Sequence, residues 1–103
     1  MTATLKKVLK SIIETADPDK IILFGSRAND NNSSESDYDL LVLKKGIKKR
    51  RKLAQKIYLN FHQIGAPIDI IVNELSEYEE LQEDSNLIYQ TIAQKGIVVY
   101  EKK

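Results

Sequence analysis

The chain has 103 residues, 42% of them hydrophobic and 30% charged, which suits a single soluble domain with a modest core. It contains no cysteine, so a disulfide framework and a thiolate zinc site are both excluded. The net charge is only +1, but it is unevenly spread: Lys44, Lys45, Lys48, Lys49, Arg50, Arg51, Lys52 and Lys56 form a purely basic stretch, and residues 57–94 carry no Lys or Arg.

Leu5, Val8, Leu9, Ile12, Ile13 and Ala16 recur at helical spacing and predict an amphipathic helix over 3–16, stopped by Asp17-Pro18. Lys20 to Phe24 reads as a short buried strand closing at Gly25. Residues 27–36 are polar and rich in Asn and Ser, which predicts a short helical turn and then a mobile loop. Asp37 to Leu43 reads as a second strand, and Gly46 ends its extension. Leu53, Ala54, Ile57, Phe61 and Ile64 predict a long helix over 47–64, closed by Gly65-Ala66-Pro67. A third strand over 68–72, helices over 75–84 and 87–95, and a last strand over 97–100 complete the chain. This order predicts an α/β chain with one mixed sheet of about four strands flanked by helices. Strands one and two would be antiparallel; strands two and three, joined by a helix, would be a parallel crossover pair. The N-terminus lacks the apolar run of a signal peptide and no segment is long enough to span a bilayer, so a cytoplasmic location and no membrane partner are expected.

The chemistry concentrates in Gly25-Ser26, ten residues, then Asp37-Tyr38-Asp39. Strands disfavour Asp, and alternation puts Asp37 and Asp39 on one face, roughly 7 Å apart along the strand. Two like charges so held need a counter-charge, for which a pair of divalent cations is suited. The Gly25-Ser26 turn offers backbone N–H groups and a hydroxyl at a helix start, which suits phosphate. Arg27 could reach a phosphate or be a solvated loop residue. Asp69 interrupts the apolar run Ile68, Ile70, Ile71 and Val72, where a buried carboxylate would cost several kcal/mol unless paired or metal-bound. The predicted topology brings Asp69 to the same sheet edge as Asp37 and Asp39.

Other features read more plainly. The basic stretch 44–52 is a solvated face or a partner-docking surface. It opposes the dipole of the helix it opens and has no interleaved aromatics, so direct nucleic-acid binding is not expected. His62 stands alone. Tyr58, Tyr78, Tyr89 and Tyr100 read as core or interface residues, and the acidic stretch 74–84 as a solvated helix.

Ile22-Leu23-Phe24-Gly25-Ser26-Arg27-Ala28, Ser36-Asp37-Tyr38-Asp39-Leu40-Leu41-Val42, Ile68-Asp69-Ile70-Ile71-Val72 and the ending Ile88-Tyr89 … Gly96-Ile97-Val98-Val99-Tyr100-Glu101 resemble the DNA polymerase beta-like nucleotidyltransferases. Within that superfamily the chain is similar to the minimal nucleotidyltransferases, antitoxins encoded beside HEPN-domain toxins. The likeness spans nearly the whole chain, and all three acidic positions are filled. It implies that Asp37 and Asp39 hold two Mg²⁺ ions, that Asp69 completes the catalytic one, and that Gly25 and Ser26 bind the β- and γ-phosphates of ATP. The implied activity is transfer of AMP onto a tyrosine hydroxyl of the HEPN ribonuclease toxin, which silences it. Two other readings share these residues: an antitoxin that acts mainly by binding its toxin, and an aminoglycoside-like small-molecule nucleotidyltransferase.

Overall fold

The computed structural model describes residues 2–28, 37–62, 64–81 and 87–103. Helix α1 (Ala3–Ala16) begins where the Thr2 hydroxyl accepts from Leu5 N at 3.0 Å, and ends where Asp17 turns left-handed (φ 46°). Strand β1 (Lys20–Phe24) follows, then a short 3₁₀ turn, Gly25–Ala28. Strand β2 (Tyr38–Lys44), helix α2 (Arg50–Leu59), strand β3 (Ile68–Glu74), helices α3 (Leu75–Leu81) and α4 (Leu87–Lys95), and strand β4 (Ile97–Glu101) complete the described order.

The strands form a mixed sheet in the order β3-β2-β1-β4, with β1 antiparallel to both β2 and β4, and β2 parallel to β3. Alternation along the central strands divides the core. Ile21, Leu23, Leu40, Val42, Ile70 and Val72 meet α1 and α2 on one face, against Val8, Ile12 and Ile57. Ile22, Leu41 and Leu43 meet Tyr78 of α3 and Ile92 of α4 on the other. Strand β2 is buried on both sides, which is why its sequence is a continuous apolar run rather than an alternating one.

The expected α/β architecture, strand directions and helix α1 are all found. Helix α2 is shorter than its apolar pattern suggests, beginning at Arg50 rather than 47 and ending at Leu59 rather than 64. Its start has no side-chain cap and no acidic residue, so the cations of 48–52 oppose the helix dipole there. Its end is turned aside when the Asn60 side chain donates to Lys56 O at 2.8 Å and Phe61 N bonds back to Tyr58 O. Of the turn and loop expected over 27–36, residues 27 and 28 lie in the 3₁₀ turn; the rest, and the last residues of the helix expected over 75–84, lie outside the described residues.

One buried polar residue ties three elements together. Asn73 in β3 is 1% exposed. It accepts from Arg50 Nη1 at 3.0 Å and donates to the Tyr89 hydroxyl at 2.6 Å. Arg50 also pairs with Glu77 at 3.5 Å, so one member of the basic stretch locks α2 onto β3 and α3. Tyr78 and Tyr89 pack edge to face, as core residues do, and the Tyr58 hydroxyl accepts from Ile70 N at 2.7 Å. His62 is exposed.

Candidate active site

The ladders put the acidic residues in one row. Phe24 at the end of β1 faces Asp39 across the antiparallel pair, and Asp39 faces Asp69 across the parallel pair. Asp39 and Asp69 have the same strand parity as Leu41 and Ile71, so both side chains leave the sheet on the α3/α4 face. Asp37 immediately precedes β2, where Tyr38 N bonds to Pro67 O at 3.0 Å and anchors the start of the β2–β3 ladder. One carboxylate oxygen from each of Asp37, Asp39 and Asp69 lies within 4.8 Å of the others. The side chains thus converge more closely than the roughly 7 Å strand repeat that separates Asp37 from Asp39.

Burial differs from the sequence expectation at one position. Asp69 is exposed, as is Asp37, while Asp39 is half-buried. Asp69 stands near the entry of β3 and is exposed, so it keeps its contact with water and the expected desolvation cost does not arise there. Asp39 bears the strain instead. Its pKa is raised above the ordinary carboxyl value by burial first, then by the negative charges of Asp69 and Asp37 and by a hydrogen bond with Asp69. A bound cation would reverse the charge part of that shift. Three hard oxygen donors this close, two of them open to solvent, fit a divalent ion such as Mg²⁺.

Gly25 presses directly on the acidic row. It has φ +76°, and a Cβ built there would collide with Asp39 Oδ2 and lie 3.2 Å from Asp39 Cγ. Only glycine permits both that backbone conformation and that approach. Gly25 and Ser26 are exposed on the turn, open to a ligand arriving over Asp39.

Arg27 goes elsewhere. Its guanidinium carbon stands 3.9 Å from the centroid of the Tyr38 ring, and the Tyr38 hydroxyl is 2.9 Å from Thr2 Oγ1. Both line a hollow of about 630 Å³ on the α1 side of the sheet, with Leu5, Leu23 and Val98. The structure therefore gathers Asp37, Asp39, Asp69 and Gly25 at one rim, with Ser26 next to it, and draws the Arg27 side chain toward the opposite face. The part played by Tyr38 was readable in principle: a residue between two same-face aspartates must point the other way.

A mixed sheet that presents three carboxylates beside a left-handed glycine turn has the polymerase beta-like nucleotidyltransferase architecture. The chain belongs to that family: the model of "Polymerase beta, Nucleotidyltransferase" matches residues 6–103. Similar solved structures include a putative nucleotidyltransferase from Sulfolobus solfataricus (TM-score 0.65, 19% identity, covering 96% of this chain and 78% of that one). A toxin–antitoxin structure with AMP-PNP is also similar (TM-score 0.64, 21% identity, 99% and 76% covered). So is a mutant of the toxin–antitoxin MntA-HpeT (TM-score 0.59, 20% identity, 95% and 73% covered). At these identities the likeness is one of fold. Among curated proteins, none matches the chain.

Proposed function

We propose that this protein is a single-domain antitoxin nucleotidyltransferase, spanning 1–103, that transfers AMP from ATP to a tyrosine hydroxyl of a cognate HEPN ribonuclease toxin in the cytoplasm. The observation that carries the reading is the convergence of Asp37, Asp39 and Asp69 within 4.8 Å beside Gly25. The antitoxin context draws on the toxin–antitoxin structures that share the fold. In this reading Gly25 and Ser26 receive the β- and γ-phosphates, and Arg27 is a further phosphate ligand if its side chain leaves Tyr38. Two Mg²⁺ ions held by Asp37, Asp39 and Asp69 would lower the pKa of the acceptor hydroxyl and neutralise the departing pyrophosphate.

The chain's own part is positional. Asp39, fixed by two ladders and by Gly25, sets the place of the α-phosphorus, and exposed Asp69 faces the side from which an acceptor arrives. The tyrosine oxygen bonds to that phosphorus as the bond to the bridging oxygen breaks. Pyrophosphate leaves with the electron pair, and the hydroxyl proton passes to the Asp69 carboxylate.

Incubation of the protein with its neighbouring toxin, ATP and Mg²⁺ should add one or more AMP masses to a toxin tyrosine, read by peptide mass spectrometry. Asp39→Asn should abolish the addition. Absence of any mass shift refutes transfer to the toxin. If an Asp37→Ala/Asp39→Ala variant still protects cells fully, the antitoxin acts by binding instead. Turnover of an aminoglycoside by the isolated chain would favour the small-molecule reading.

A further inference from the structure

The face that carries Asp39 and Asp69 continues past Gly25 into a second hollow, of about 300 Å³, between the end of β1 and helix α4. Phe24 and Gly25 form one wall; Ile88, Thr91, Ile92 and Lys95 form the other. The β1–β4 ladder ends where Leu23 pairs with Ile97, and just beyond that last rung Gly25 and Lys95 line the same hollow. The end of α4 is held there firmly. Gly96 N bonds to Ile92 O at 2.8 Å, and a Cβ on Gly96 would approach Ile22 Cγ2 to 2.7 Å. Thr91 and Lys95 are four residues apart, on one side of the helix, and both are exposed. Among the described residues, a hydroxyl and an ammonium are the polar side chains of a hollow otherwise walled by Phe24, Ile88 and Ile92.

We propose that this hollow seats the terminal phosphate of the nucleotide, with the Lys95 ammonium as its counter-charge and the Thr91 hydroxyl as a second donor. The inference rests on the reading that Gly25 and Ser26 hold the β- and γ-phosphates. The carboxylate rim lies on one side of Gly25 and the hollow on the other. A triphosphate whose α-phosphorus sits at the rim and which crosses Gly25 therefore ends beside Lys95. Charge calls for such a group. Three carboxylates and a fully ionised triphosphate outweigh two divalent cations by about three charges, and the excess is greatest at the phosphate end. The hollow is also about ten water volumes in size, ample for a phosphate and its remaining hydration. A cation in the last turn of α4 offsets the helix dipole as well, so the test must separate ligand binding from helix stability.

Calorimetric titration of the full chain with ATP, AMP and inorganic pyrophosphate, all with Mg²⁺, makes that separation. Lys95→Ala should weaken ATP and pyrophosphate binding by about tenfold or more and leave AMP binding unchanged, because AMP lacks the terminal phosphates. Lys95→Arg should keep ATP affinity within about threefold, and Thr91→Val should weaken it by about threefold. ATP binding of Lys95→Ala at the wild-type level, or an equal loss for ATP and AMP, overturns the assignment. Ser26→Ala and Asp39→Asn serve as controls. If they weaken ATP binding and Lys95→Ala does not, only the hollow is misassigned. If neither weakens it, the nucleotide site itself is misplaced and the inference falls with it.

Discussion

Replacing Asp39 by asparagine should make the metal-free protein more stable, although it removes the residue at the centre of the proposed site. The amide keeps the shape of the side chain and a hydrogen-bonding oxygen but not the charge. At 4.8 Å two unit charges repel by about 0.9 kcal/mol in bulk water and about 3.5 kcal/mol at an effective dielectric constant near 20. Asp37 and Asp69 are exposed and Asp39 is half-buried, so the lower part of that range applies to each neighbour. Relief of about 1–2 kcal/mol follows, which for a domain of this size raises Tm by about 5–10 °C. The gain should depend on pH. Because the folded-state pKa of Asp39 is raised above 3.8, the folded protein holds more protons than the unfolded chain between that value and the raised one. Wild-type stability therefore falls as pH rises through that interval, and the advantage of the Asp39→Asn variant should be present at pH 7 and fade as pH drops toward 4. Thermal melts in EDTA from pH 4 to 8 read this directly. Adding ATP and Mg²⁺ should then raise Tm of the wild type by mass action and leave the variant unmoved. An Asp39→Asn protein that melts at or below wild type at pH 7 in EDTA would show that the three carboxylates do not repel one another as their spacing requires.

Two further substitutions probe the supports of the site. Gly25→Ala should cost about 1–2 kcal/mol for the left-handed backbone alone, and its Cβ must displace the Asp39 carboxylate. Both a lower Tm and the loss of the ATP-and-Mg²⁺ shift are expected in the same melts; retention of the full ligand shift would contradict the close approach. Asn73→Ala leaves Arg50 and the Tyr89 hydroxyl without their buried partner and should cost about 2 kcal/mol, lowering the urea midpoint by about 1 M at unchanged slope. A midpoint within about 0.2 M of wild type would mean that water replaces the amide there.

Local patterns in the chain are enough to foresee much of this molecule, and particular residues show where they stop. The 3.6-residue recurrence from Leu5 to Ala16 and the uninterrupted run from Leu40 to Leu43 announce α1 and a doubly buried strand, because each depends only on near neighbours. Helix α2 shows the limit. Its apolar spacing extends to Ile64, but the Asn60 side chain bonds back to Lys56 O and the chain leaves the helix at Leu59. Asn73 gave no signal at all, since a polar residue near a strand end reads as solvent-facing until α2, α3 and α4 close over it.

The candidate site divides in the same way. The amino-acid order by itself determined which oxygen donors exist, that Asp37 and Asp39 share a face, and that a glycine turn precedes them, because strand alternation and backbone sterics are properties of neighbouring residues. Tertiary structure decided that Asp39 and Asp69 sit directly opposite each other, that Asp69 remains in water, that Arg27 stacks on Tyr38, and that Lys95 and Gly25 line one hollow. Each of those depends on the register between strands far apart in the chain and on how far the covering helices reach, and neither quantity is encoded in any short stretch of residues.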